Sequence, residues 1–222
     1  MAMQKKTDNE IKHDVNRELS WDTRTWNKNI VVEVTDGVVM LDGIVPSYAQ
    51  KIAAQTAAHR VNGVMDVANN ILVKIQHRHS DAEIAHALRQ ALEWGALLPD
   101  KTITSTVSDG WVKLEGKVKS LTERADAEWA VENLTGVAGI TNELEVEPSK
   151  TDAVTLRESV EAALERRADR EAERLRIDVK DGEVSLYGRI HSWPERNAVV
   201  GSISHAPGVK KINDNLRIDP YF

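Results

Sequence analysis

Hydrophobic positions follow the same series of spacings three times along the chain. Each series opens with apolar residues four apart, the spacing of one face of an α-helix. Apolar and polar residues then alternate on both sides of an Asp-Gly pair, as in two strands with one buried face. A second helical pattern and a final alternating run complete the series. The pattern predicts a helix, two strands, a second helix and a third strand, in that order.

Landmark residues recur at a period of 72 or 73 residues. In each copy an Asp-Gly pair is followed six residues later by a glycine, and a third glycine precedes a valine. A period held by separate landmarks indicates a true repeat and overrides the domain number that length alone suggests. The landmarks are Asp36, Gly37, Gly43 and Gly63 in the first copy, Asp109, Gly110, Gly116 and Gly136 in the second, and Asp181, Gly182, Gly188 and Gly208 in the third.

The repeat predicts three small α+β modules in tandem, at residues 6–75, 79–147 and 150–219. Each module is expected to have the element order α-β-β-α-β, with a three-stranded sheet and both helices on one face. The pattern leaves the order of the strands open. A module of this size buries a small core and is expected to have modest stability alone.

Several repeated positions carry specific structural expectations. The Asp-Gly pairs are typical of a type I′ turn, in which both central residues need a positive φ. We expect Gly43 and its equivalents to let the second helix approach the sheet, and Gly63 and its equivalents to cap that helix at its C terminus. Ser47, Ser120 and Ser192 are expected to begin the second helices, each with a Gln or Glu three residues later in a capping box.

Composition and charge exclude several classes of function. Cysteine is absent, so the chain has no disulfide, no thiolate metal site and no cysteine nucleophile. The formal net charge is −6, and residues 77–148 carry 7 basic and 13 acidic groups, which accounts for the whole excess. Proteins that hold nucleic acid through its phosphates usually have a basic excess, so we expect no nucleic-acid partner.

The chain shows no sequence signal for a membrane. No apolar run follows Lys5 and Lys6, so the sequence predicts no signal peptide. No apolar stretch approaches the ~20 residues that cross a bilayer. We therefore expect a cytoplasmic protein, or a periplasmic one if a leader has been removed.

Three segments of the first copy have counterparts in the other two: Asp36-Gly37-x-Val39-x-Leu41-x-Gly43, Gly63-Val64 and Asn70-Ile71-x-Val73. Together they resemble the BON domain, and the likeness covers about residues 6 to 219. The resemblance implies a non-catalytic module, similar to those of osmotically inducible and transport-associated bacterial proteins. It also implies binding of phospholipid or attachment of proteins to a membrane surface. It supplies no catalytic residues.

Titratable residues give no sign of an active site or a metal site. Asp109 and Asp181 occupy turn positions, which explain them structurally. His77, His79 and His86 lack the i, i+4 spacing of ligands on one helix, so we interpret them as solvated linker residues. We expect no enzyme activity, no cofactor and no metal.

Two recurring features are candidate surface contacts. Lys51, Arg124 and Arg196 each follow a capping Gln or Glu, where a cation opposes the helix dipole. They are interpreted either as an anion or lipid-headgroup contact or as locally paired residues. Trp111 and Trp129 occupy positions that are polar in a sister copy, so we expect both at the surface. Indole suits protein interfaces and the membrane headgroup layer, and packing against a neighbouring copy is the alternative.

The sequence thus predicts a non-enzymatic BON-repeat binding protein of stress or envelope physiology. Its expected partner is a phospholipid membrane surface or a membrane-associated protein. A soluble protein–protein scaffold and a weak small-ion sensor, neither with a lipid role, are the alternatives. The acidic middle copy is poorly suited to an anionic bilayer, because like charges repel within a Debye length of ~8 Å.

Overall fold

The computed structural model describes residues 5–25, 29–75, 79–94, 102–148, 153–165 and 175–221. The chain divides into two compact units. Unit 1 consists of Met1–Arg78, Ile190–Arg196 and Ile218–Phe222, and unit 2 of His79–Arg189 and Asn197–Arg217. The predicted α+β fold class, with its three repeated modules, is confirmed.

The first module has a sheet with the second strand at its centre. Its elements are α1 (Asp8–Trp21), β1 (Ile30–Thr35), β2 (Val38–Val45), α2 (Tyr48–His59), β3 (Asp66–Asn69) and β4 (Leu72–Val73). β2 is antiparallel to β1 and parallel to β3 and β4. β3 and β4 follow one another along β2, so they act as a single edge strand with a break at residues 70 and 71.

The other two modules repeat this arrangement, with the strand order that the sequence left open now defined. The second contains α3 (Asp81–Trp94), β5 (Ile103–Ser108), β6 (Trp111–Val118), α4 (Leu121–Glu132) and β7 (Gly139–Val146). The third contains α5 (Ala153–Glu165), β8 (Arg176–Lys180), β9 (Glu183–Ile190), α6 (Trp193–Ser204) and β10 (Lys211–Ile218). The strand orders are β5-β6-β7 and β10-β9-β8, so the second strand of each hairpin is central.

Both helices of a module pack on the same face of its sheet, as predicted. In the first module Ile11 of α1 and Ala54 of α2 belong to one buried cluster with Leu41 of β2. In the third module Leu156 of α5 and Ile203 of α6 do the same with strand residues of their own sheet. Alternate strand residues are buried in this way because side chains of a strand point to opposite faces. We call the helix-covered face of each sheet its inner face and the opposite face its outer face.

The Asp-Gly turns have the conformation that the sequence predicts. φ is 50° at Asp36 and 77° at Gly37, so both central residues are left-handed. The second and third modules have similar φ values, 51° and 76° at Asp109 and Gly110, and 51° and 85° at Asp181 and Gly182. The turn prediction is confirmed in all three copies.

An aspartate at the start of the first helix holds this turn in place. The Asp8 carboxylate accepts hydrogen bonds from the backbone N–H groups of Asp36 (2.9 Å) and Gly37 (3.0 Å). The helix itself begins with a capping box between Thr7 and Glu10. The second module repeats both features, with Asp81 bonded to Asp109 and Gly110 and with Ser80 paired with Glu83. Hydrogen bonds to a charged group are among the stronger ones, so this contact fixes the helix against the hairpin.

The second helices of the second and third modules begin with a variant of the predicted capping box. The Ser120 hydroxyl accepts from the backbone N–H of Glu123, as in the standard box. The Glu123 carboxylate, however, accepts from Lys119 N–H, one residue before the cap. Glu195 likewise accepts from His191 N–H. Each carboxylate therefore satisfies a backbone donor of the preceding loop.

The predicted roles of Gly43 and Gly63, and of their equivalents, are wrong. Gly116 has a φ of 125°, and a Cβ there would collide with the carbonyl oxygen of Thr102, which lies just before β5. Its lack of a side chain therefore accommodates the neighbouring strand and not the helix. α2 ends at His59, so Gly63 does not cap it. Gly63 has a φ of 97° in the turn that follows, where a Cβ would press on Ile11 of α1.

Candidate functional site: the outer sheet faces

The outer sheet face of the first module is apolar and acidic. Val31 is 57 % exposed and Leu72 is 66 % exposed, and Val38 and Ile44 are also exposed. The register places Leu72 beside Ile44 on β2. The charged residues at outer positions of β1 to β4 are Glu33, Asp42 and Asp66, all of them acidic.

The outer face of the second module is polar and internally ion-paired. Lys113 lies 2.9 Å from a carboxylate oxygen of Glu115 on its own strand and 2.9 Å from one of Glu143 on β7. Hydrogen bonds to these two carboxylates raise the pKa of Lys113 to about 12. Lys117 pairs with Glu147. The cations of this face are therefore matched locally by carboxylates.

The outer face of the third module is basic. Ile212 and Leu216 of β10 pack in the core, so alternation places Lys211 and Arg217 on the outer face. Asn213, between them, donates to Glu183 of β9 and confirms this orientation. The basic residues of the face are Arg176, Lys180, Arg189, Lys211 and Arg217, and the acidic ones are Asp178 and Glu183. The sequence did not reveal this concentration, because the acidic and basic totals of the third copy are equal.

One aromatic ring lies within this basic face. The Arg176 guanidinium lies 5.7 Å from the centroid of the Tyr187 ring, within the range of a cation–π contact. Arg176 also lies 3.0 Å from the Asp178 carboxylate. The other cations of the face are Lys180 on β8, Arg189 on β9, and Lys211 and Arg217 on β10, so the positive charge is spread over all three strands.

Trp111 and Trp129 lie at the surface of the second module but on opposite sides of it. Trp111 is 51 % exposed on the outer sheet face, where its ring lies over Gly139 and its indole N–H donates to Thr141 (2.9 Å). Trp129 is 67 % exposed on α4, whose buried residues lie two positions before and after it. It therefore points away from the sheet. A single flat surface, such as a membrane, therefore cannot contact both indole rings at once.

Two of the three candidate cations lie where the second helix meets the edge strand. The Arg124 guanidinium donates to the carbonyl oxygen of Asn142 (3.0 Å), and the Asn142 side chain donates back to the Arg124 carbonyl (3.2 Å). In the first module Asn69 donates to the Lys51 carbonyl in the same way (3.0 Å). The recurring asparagine, which the sequence analysis did not single out, thus ties helix to strand.

Arg196 lies in a stack of three side chains within unit 1. Its guanidinium lies 4.7 Å from the centroid of the Trp193 ring, and that ring stacks on His59 at 3.8 Å. Trp193 also donates its indole N–H to the Met65 carbonyl (3.2 Å) and packs against the first module's core. Burial, aided by the positive charge of Arg196, lowers the pKa of His59 to about 4, although Asp66 acts in the opposite direction. A ligand role for Lys51, Arg124 and Arg196 stays a prediction.

Trp21 is an exposed aromatic that the sequence analysis missed. It is 80 % exposed at the end of α1. Its counterpart in the third copy is Arg166. A polar residue at an equivalent position indicates surface exposure, and the same pattern identified Trp111 and Trp129 as surface residues. The exposure of Trp21 could therefore have been predicted by aligning the three copies.

Metal ligation and membrane spanning have no support in the described ranges. No group of three His, Asp or Glu side chains there lies close enough to hold a metal ion. His79 and His86 are exposed, and His77 lies outside the described residues. Among the described helices, none is both long enough and apolar enough to cross a bilayer.

Comparison with known proteins identifies the family of the chain. No curated protein matches the chain. A solved structure of CdsD, a structural protein of the type III secretion system of Chlamydia trachomatis, aligns over 95 % of this chain and 92 % of that one, at 13 % identity and a TM-score of 0.27. The C-terminal domain of CdsD aligns over 94 % and 96 %, at 14 % identity and the same TM-score. The model of the BON domain matches residues 7–75, 80–148 and 152–220, and the chain therefore belongs to the BON domain family.

Proposed function

We propose that this chain is a non-catalytic binding protein whose third module contacts anionic phospholipid headgroups. The observation that carries the proposal is the outer face of β8, β9 and β10, where five basic residues stand against two acidic ones. Family membership agrees with this reading, because the BON domain is associated with phospholipid binding. The excess of acidic groups in the whole chain does not prevent it, since the outer-face acids belong mainly to the other two sheets.

The geometry of the face suits a lipid surface better than a nucleic acid. A membrane presents many phosphates in one plane, and each Lys or Arg near it contributes about 1 kcal/mol. Three strands that carry cations on one side match such a plane. Proteins that bind single-stranded nucleic acid use several aromatic side chains as stacking platforms. Tyr187 is the single aromatic residue at the outer positions of these strands, and Arg176 already contacts its ring.

Vesicle flotation of the full chain tests the proposal. We expect the protein to float with vesicles of equal parts phosphatidylglycerol and phosphatidylcholine, and not with phosphatidylcholine alone. Replacing Arg189, Lys211 and Arg217 by Glu should weaken the partition at least about tenfold, because three contributions of about 1 kcal/mol are lost. High salt should weaken it as well, since screening acts on charge.

A matched variant controls for total charge. Replacing Lys12, Arg89 and Lys119 by Glu makes the same charge change at exposed positions outside β8, β9 and β10. This control should float far better than the outer-face variant. Equal loss in both variants, no flotation of the wild type, or tighter binding to single-stranded DNA than to the anionic vesicles would each overturn the proposal.

The two tryptophans of the second module remain predicted contacts and need separate variants. Because they lie on opposite sides, a lipid contact should involve one of them at most. Trp111→Ala and Trp129→Ala should therefore differ in flotation if either indole inserts. Equal behaviour of both variants and the wild type would remove Trp111 and Trp129 from the lipid contact.

A further inference from the structure

The outer face of the first module carries aliphatic side chains that its fold does not require. Val31, Ile44 and Leu72 are all exposed. At the equivalent positions the second module has Thr104, Lys117 and Glu145, and the third has Arg176, Arg189 and Arg217. The same scaffold therefore forms with polar residues there. Exposed clustered apolar residues that folding does not need are typical of a binding surface.

Acidic groups lie among these aliphatic residues. Glu33, Asp42 and Asp66 lie on the same outer face. In the part of the chain that the structure describes, none of these three carboxylates forms an ion pair, and the strands β1 to β4 contain no Lys or Arg. Covering the face would remove water from three negative charges. An occupant must offset that cost with cations of its own.

This charge pattern decides among the occupants of the face. An anionic bilayer would bring further negative charge against three carboxylates. A second copy docked through the same face would place two sets of these carboxylates opposite one another. A polypeptide with aliphatic side chains and flanking Lys or Arg residues satisfies both the apolar area and the charges. We propose that the outer face of the first module binds a polypeptide segment of this kind, with aliphatic side chains over Val31, Ile44 and Leu72 and cations beside Glu33, Asp42 and Asp66.

Fluorescence anisotropy with the full chain tests this contact. The probe is a fluorescein-labelled amphipathic helical peptide made of leucine and lysine, and the comparison probe replaces each lysine by glutamate. We expect the leucine–lysine peptide to bind at least about tenfold more tightly than its glutamate counterpart. The variant Val31→Thr, Ile44→Gln, Leu72→Gln should weaken binding of the lysine peptide at least about tenfold. The variant Glu33→Gln, Asp42→Asn, Asp66→Asn should weaken it and also reduce its salt dependence.

The second module supplies the control for general acidity. Replacing Glu115, Glu143 and Glu145 by Gln removes the same number of carboxylates from another outer face. Circular dichroism checks that all variants fold. If this control weakens peptide binding as much as the first-module variants do, the proposal is overturned.

The same variants identify a wrong occupant. One outcome of sedimentation velocity is a dimer for the wild type and a monomer for the variant at Val31, Ile44 and Leu72. If the wild type also fails to bind the peptide, the face belongs to a second copy and the proposal is overturned. Loss of vesicle flotation in that variant would assign it to lipid, with the same consequence. A monomer that binds the lysine peptide and keeps its flotation when these residues are replaced would support it.

Discussion

The outer faces of the first and third modules show how one scaffold presents two opposite surfaces. At three equivalent positions the first module has Val31, Ile44 and Leu72, and the third has Arg176, Arg189 and Arg217. The remaining charges on these strands differ in the same sense, with acids alone on the first face and a basic excess on the third. Because outer positions pack against no helix of their own module, they vary without cost to the core.

The inner scaffold beneath the two faces is the same. In both modules the glycine of the Asp-Gly turn accepts a hydrogen bond from the chain that leads into the edge strand. Met65 N–H donates to the Gly37 carbonyl (2.9 Å), and Lys210 N–H donates to the Gly182 carbonyl (2.7 Å). The fold therefore sets which residues occupy the turns and the inner positions. The residues at outer positions can vary and can form binding surfaces.

The largest expected effect comes from breaking that shared scaffold. Gly43 and Gly188 have φ values of 137° and 144°, so alanine at either position is strained. Unusual backbone conformations cost ~1–3 kcal/mol, and the collision with the Asn29 carbonyl adds to this at Gly43. We expect Gly43→Ala and Gly188→Ala each to lower the free energy of unfolding by about 3 kcal/mol in urea titrations. Gly201→Ala is the control, since nothing lies near its Cβ and alanine favours its helix. A harmless Gly188→Ala would show that the two modules do not share the scaffold.

The next largest effect is a transfer of the third face onto the first. Val31→Arg, Ile44→Arg and Leu72→Arg copy the residues of the third module at matching positions. In a chain that already carries Glu at positions 189, 211 and 217, we expect these three changes to restore binding to phosphatidylglycerol vesicles by about tenfold or more. The same positions replaced by Gln should restore nothing. Failure of the arginine variant, while it remains folded, would mean that these three positions do not determine lipid affinity.

Inner positions could be predicted from the sequence because their signal is local. The four-residue spacing of Ile11, Val15 and Leu19 and the alternation around Asp36-Gly37 each lie within one short segment, and all the helix and strand types followed from such segments. The outer faces were harder to predict. Arg176, Arg189 and Arg217 lie on three strands separated by turns and a helix, so their common surface appears only once strand order and register are known.

The missed contacts have a similar physical origin. The spacing of Gly43 and Gly116 marks them as constrained, but the atom that constrains each is a carbonyl oxygen of the residue just before the neighbouring strand. Asp8 lies in the first turn of α1, yet its hydrogen bonds go to a turn 28 and 29 residues away in sequence. Periodicity predicts elements, whereas such contacts depend on how the elements pack.

A smaller effect distinguishes the first module by pH. His59, whose third-module counterpart is Ser204, has its pKa lowered to about 4 from 6.5, chiefly by burial. Between these values the unfolded chain binds a proton that the folded chain does not, so the contribution of His59 to stability falls as pH decreases from about 6.5 to about 4 and changes no further below that range. Because His59 is only partly buried, we expect a loss of about 1 to 2 kcal/mol. Urea titrations of wild type and His59→Phe should diverge in this window, since phenylalanine keeps the stacking on Trp193 without titrating. Parallel curves would show that the His59 proton is not linked to folding.

The smallest effect is expected on the outer face of the second module, which lies between the two extremes in charge. Lys113 is held by Glu115 and Glu143, but all three side chains are well exposed, and exposed ion pairs contribute little to stability. Lys113→Gln should therefore leave the midpoint of urea unfolding unchanged within error. It should also leave vesicle flotation unchanged, because a cation already neutralised by two carboxylates offers little to a lipid phosphate. The informative comparison is with Arg189→Gln, which removes one cation from the third face and should reduce flotation measurably. If Lys113→Gln reduced flotation as much as Arg189→Gln does, the second module would share the lipid contact, and affinity would follow the number of cations in the chain instead of their concentration on one sheet.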